Sequence, residues 1–111
     1  MKQSKPKNNF SQETRLLFQE AWQCWWCGMN TADSLHHIVS RGGKDSTTES
    51  STLNACPLCN QKCHLPNHGV LKTEAQIKIM LNKTYDYLIG IGYKLTELDI
   101  EFMEQYIDYY Q

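Results

Sequence analysis

No apolar run in the 111 residues comes near the roughly 18 that a membrane span needs, so no segment reads as transmembrane. The start, Met1 to Phe10, carries three lysines without the apolar stretch of a secretory leader. The expectation is therefore a protein that stays in the reducing cytoplasm, where cysteines serve as thiols or metal ligands and not as a disulfide framework. Internal repeats and low-complexity tracts are missing, which sets repeat architectures aside. An excess of either charge is missing too: 11 Lys and Arg against 12 Asp and Glu leave a net charge of −1, which alone identifies no partner. The length is that of one domain, and no second catalytic domain is expected within it.

What is present is an ordinary globular composition, 41% hydrophobic and 21% charged, with its charge unevenly spread. Residues 1–96 carry a balance of +4, whereas residues 97–111 hold five acids and no base. Residues 1–10 are polar, contain Pro6 and show no period, so they read as a flexible basic arm. Residues 11–111 read as one domain. Ser11 is a good N-cap, and the spacing of Leu16, Leu17, Phe18, Ala21 and Trp22 predicts a helix over 12–23. A strand is expected over 35–39, an exposed loop over 41–52, and an antiparallel return strand over 54–58. Thr73 with Gln76 forms a capping box, and Ile77, Met80, Leu81, Thr84 and Leu88 fall on one helical face until Gly90 and Gly92. Thr96 with Asp99 opens a last helix, whose expected apolar side is Leu98, Phe102, Met103, Tyr106, Ile107 and Tyr110.

The chemistry is concentrated. All five cysteines and all four histidines lie between Cys24 and His68. Cys24-x2-Cys27, followed by a group of Cys56, Cys59 and Cys63, offers four thiolates to a tetrahedral Zn²⁺ held by two turns, with Gly28 supplying the left-handed residue of a knuckle. Spacing alone favours Cys56 and Cys59 as the second pair. The cysteine left over would be a small buried hydrophobe. His36 and His37 are neighbours on a strand, so their side chains diverge and should serve different purposes. His64 and His68 are four apart, which on a helix places both imidazoles on one side, able to share a metal. One strand histidine would complete that set, and the other would stand ready to accept a proton near neutral pH.

The run Leu35-His36-His37-Ile38-Val39-Ser40-Arg41, then Asn54-Ala55-Cys56-Pro57-Leu58-Cys59, then Cys63-His64, resembles the HNH endonuclease family. The cysteine pairs make it similar to the zinc-stapled branch, many of whose small members are encoded by bacteriophages. The resemblance covers residues 24–68 and implies a small α+β fold. That fold is a ββα-metal core with a four-cysteine zinc site, flanked here by an N-terminal helix and two C-terminal helices over 73–111. The family pattern places the asparagine five residues before the third zinc cysteine, which selects Cys59 and Cys63 beside Cys24 and Cys27. Cys56 is then a core residue, kept as the alternative ligand. The resemblance further implies that His36 and His64 ligate a catalytic metal, with His68 as third ligand in the manner of the colicin-type variant. It makes His37 the general base and Asn54 the residue that holds the base's loop. Two features depart from the pattern: many members carry aspartate where this chain has His36, and their last cysteines are usually separated by two residues instead of three. An all-imidazole site suits Mn²⁺, Ni²⁺, Co²⁺ or Zn²⁺ better than Mg²⁺.

The implied activity is metal-dependent hydrolysis of DNA, leaving a 5′ phosphate and a 3′ hydroxyl, with Arg41 as a phosphate clamp. One such unit nicks one strand. The company the family keeps points to phage DNA packaging or recombination proteins as partners. The rival from another class is a zinc-ribbon module that binds nucleic acid or protein and cuts nothing. An oxidoreductase using Cys24 and Cys27 is the third reading, although no βαβ pattern surrounds that pair.

Overall fold

The computed structural model describes residues 10–21, 23–28, 31–32, 34–39, 50–59 and 73–110. In chain order these form α1 (Gln12–Leu17), β1 (Ser34–His37), a 3-10 turn (Thr52–Asn54), β2 (Ala55–Leu58), α2 (Glu74–Gly90), α3 (Glu97–Gln105) and a final 3-10 turn (Ile107–Tyr109). The fold is small α+β. Its sheet is the antiparallel pair β1–β2, with Ser34 opposite Leu58, Leu35 opposite Pro57, His36 opposite Cys56 and His37 opposite Ala55. Among the described residues no helix is long and apolar enough to cross a membrane.

Because side chains alternate along a strand, each face of this hairpin has its own core. One face carries Ile38, Cys56 and Leu58, packed with Cys24, Cys59, Met80 and Leu81. The other carries Leu35 and Ala55, packed with Phe10, Phe18, Leu53 and Leu88. The helix α2 serves both, since Met80 and Leu81 join the first cluster and Leu88 the second. Between them the buried Thr84 donates its hydroxyl to the Ala55 carbonyl at 2.7 Å, and the Trp25 amide donates to the Pro57 carbonyl at 3.0 Å. The outward carbonyls of β2 are thereby satisfied, and Pro57 is tolerated on an edge where no N–H is required.

Both C-terminal helices begin with the capping boxes their sequences announce, Thr73 with Gln76 and Thr96 with Asp99. The first helix is shorter than its periodicity predicts. It stops at Leu17, whose carbonyl accepts from the Tyr87 hydroxyl at 2.7 Å. Phe18 then turns inward, stacking on Tyr87 at 5.2 Å and meeting the edge of Trp25 at 5.8 Å, while Leu16 is left exposed. Strand β1 likewise ends at His37 and not at Val39, because Asn54 takes over Val39's backbone groups. In α3 the inward residue of the first turn is Asp99. Phe102, Met103 and Tyr106 continue its stripe at helical spacing, so Leu98 falls to the side and is exposed. Ile107 lies beyond the helix and is exposed as well, contrary to the expected apolar side.

Candidate functional site

The thiols of Cys24, Cys27 and Cys59 lie within 4.8 Å of one another, with Cys27 Sγ and Cys59 Sγ 3.8 Å apart. Tetrahedral zinc with Zn–S bonds of about 2.3 Å sets its sulfurs roughly 3.8 Å apart, so the donors present fit such an ion. Local chemistry builds half of the site. Gly28 adopts φ +70° and donates its amide to the Cys24 carbonyl at 2.9 Å, closing the knuckle. The amides of Trp26 and Cys27 then donate to Cys24 Sγ, at 3.4 and 3.5 Å. The other half arrives on β2, whose next residue is Cys59.

Cys56 stands outside this set. It is fully buried in the same cluster, and burial first, then the neighbouring Cys24, pushes its thiol far above the ordinary range. Its sulfur is not among the three that converge, and it packs as a core residue. Cys63, the fourth sulfur implied by the resemblance, lies outside the described residues, as do His64, His68 and Arg41.

The histidine pair diverges across the strand. His36 shares its face with Ser34, and its Nε2 lies 2.8 Å from the Ser34 hydroxyl. That is also the face of Cys56 and the cysteine cluster. His37 points to the opposite face, where the Phe10 ring stacks on it at 4.6 Å and its Nε2 lies 2.8 Å from the Ser50 hydroxyl. The stacked plane and the hydroxyl at one nitrogen together hold the orientation of the ring.

Asn54 closes the arrangement. Its side-chain oxygen accepts from the Val39 amide at 2.8 Å, and its side-chain nitrogen donates to the Val39 carbonyl at 3.1 Å. Its own carbonyl accepts from Ile38 at 2.9 Å. Three hydrogen bonds from one residue therefore fasten the two residues that follow His37. Ser50 and Phe10, which complete the surroundings of His37, carry no signal in the sequence reading. Phe10 sits at the end of a stretch read as an arm, yet it is buried.

Neither a protein-family model, nor a curated protein, nor a solved structure matches this chain.

Proposed function

We propose that this chain is a metal-dependent DNA endonuclease of the HNH kind, built on a ββα-metal core and stapled by a structural zinc. The single observation that carries the reading is the grip of Asn54 on Val39, two residues beyond a histidine whose ring is held in orientation by Phe10 and Ser50. A general base works only when its lone pair is held in line with the water it deprotonates, and Asn54 restrains the chain that carries it. The three converging cysteines support the staple, with Cys63 as the fourth ligand.

In this reading His37 takes a proton from water as the water oxygen attacks phosphorus. The P–O3′ bond breaks, the departing O3′ is protonated from solvent, and a 5′ phosphate and a 3′ hydroxyl remain. His36, His64 and His68 would hold the catalytic metal, which when bound stabilises charge on the phosphate and the leaving oxygen. Arg41 would contact the backbone, so substrate binding should weaken as salt rises. A module that binds without cutting has the same use for the cysteines but none for His37.

The test is supercoiled plasmid nicking by chelator-stripped protein, with Mg²⁺, Mn²⁺, Ni²⁺, Co²⁺ or Zn²⁺ added singly and His37→Ala alongside. The variant is expected to keep its cysteine-bound zinc and to nick at least about a hundredfold more slowly. Equal nicking by both highly purified proteins would overturn the assignment.

A further inference from the structure

The C-terminal helices enter the site through one carboxylate. Asp99 is 1% exposed and accepts five hydrogen bonds. On Oδ2 the donors are the Thr96 amide at 2.9 Å, the Thr96 hydroxyl at 3.0 Å and the Tyr93 hydroxyl. That oxygen closes the capping box of α3, which is all the helix start requires. The other oxygen does something a cap does not need. Oδ1 accepts from the Ser51 hydroxyl at 2.6 Å and the Thr52 amide at 3.2 Å, on a segment 47 and 48 positions earlier in the chain.

That segment is the one that surrounds His37. Ser50, which meets His37 Nε2, directly precedes Ser51, and Asn54, which holds Val39, ends the 3-10 turn that Ser51 caps. The Ser51 hydroxyl also accepts from the Leu53 amide at 3.0 Å, and the Thr52 hydroxyl meets that of Thr14 at 2.8 Å. All five contacts to Asp99 come from donors, so only an acceptor at both oxygens satisfies them; an amide would set N–H against N–H on one side. A buried charge is retained at such a place only when it is fully bonded, as this one is.

We infer that Asp99 is a positioning residue for the histidine site, holding Ser50 and Asn54 in place through Ser51 and Thr52. This rests on the endonuclease reading for its kinetic consequence, but not for its structural one. The role is tested with Asp99→Asn and Ser51→Ala, and with Thr96→Ala as a control that weakens the α3 cap on the Oδ2 side only. The readouts are kcat and KM for plasmid nicking, and amide hydrogen exchange at Val39 relative to Leu81. Expected for Asp99→Asn and Ser51→Ala is a kcat about tenfold lower with KM within about twofold. Val39 exchange should rise about tenfold against Leu81 in the same variants. Thr96→Ala should lower stability while leaving kcat and that ratio within about twofold. The inference is overturned if Ser51→Ala and Thr96→Ala lower kcat alike, or if Val39 and Leu81 exchange in step in every variant. Should Asp99→Asn fail to fold, Ser51→Ala decides alone. Should the wild type cut no DNA, the endonuclease reading falls, and the Val39 exchange ratio still decides whether Asp99 positions the site.

Discussion

Replacing Asn54 with alanine removes two side-chain hydrogen bonds to Val39 and touches no part of the substrate path in the proposed chemistry. Each such bond contributes about 0.5–1.5 kcal/mol net, so the folded state should lose about 2 kcal/mol. A domain of this size has roughly 5–15 kcal/mol to lose, and even at the lower bound the variant stays more than about 99% folded. Unfolding therefore cannot account for a large kinetic effect. The effect expected is large: when the residues behind His37 are released, the ring drifts, and a displacement of about 1 Å costs on the order of a hundredfold in rate. Asn54→Asp separates the two bonds. It keeps the acceptor for the Val39 amide but sets a second acceptor against the Val39 carbonyl, so it should be as damaging to rate as alanine. Urea unfolding gives the stability term and plasmid nicking the rate. The reasoning is refuted if Asn54→Ala loses the expected stability and yet cuts within about twofold of the wild type.

The cysteine cluster and Tyr93 are open to tests of their own. Cys59→Ser should lower bound zinc, measured by elemental analysis, and chelation of the wild type should destabilise it by several kcal/mol as a structural zinc is removed; Cys56→Ala should keep the full metal content, and loss of zinc there would show that the fully buried thiol is a ligand after all. For Tyr93, burial first and then its hydrogen bond to Asp99 push the phenol up to about 12 from its ordinary 10.0. The folded state thus holds this proton more tightly than the unfolded chain, so its contribution is intact below about pH 10 and is lost as pH rises from 10 to 12. Solvent screening of this partly buried ring limits the contribution to about 1 kcal/mol. Urea midpoints between pH 9 and 12 should fall more steeply for the wild type than for Tyr93→Phe, and parallel curves would contradict the assignment.

Local chemistry is legible in the sequence and long-range chemistry is not. Thr73 with Gln76 and Thr96 with Asp99 form their capping boxes because every atom involved lies within four residues. The buried face of α2 follows from spacing, and the pairing of β1 with β2 from two short strand signals. Cys24 and Cys27 come together because a knuckle needs only Gly28 and the amides of Trp26 and Cys27. By contrast, α1 ends early through the hydroxyl of Tyr87, seventy positions away, which no window around Leu17 contains. Asp99 reads as the partner of Thr96 in a capping box and is one, but its second oxygen is committed to Ser51 and Thr52, and no periodicity reports that. Leu98 departs from its expected place for the same reason, since the helix docks by a carboxylate and its inward face is centred one residue further on.

The two strands have four residues each, and an isolated hairpin of that size is marginal at best in water. What keeps β2 in place is therefore found at its ends. Cys59 joins the cysteine cluster immediately after Leu58, while Ser51 and Thr52, just ahead of Ala55, are bonded to Asp99. One fastening uses sulfur and suits a metal; the other uses a carboxylate and needs none. Strand β1 depends on β2 along its length and on Asn54 beyond it, so the position of His37 is inherited from the carboxylate end and not from the sulfur end. The division explains how residues 73–110, which carry no chemical motif of their own, are tied to the strands that carry the cysteines and histidines. They supply the Thr84 hydroxyl at the edge of β2, the Met80 and Leu81 packing behind the cysteines, and the buried Asp99 carboxylate that holds Ser51 and Thr52.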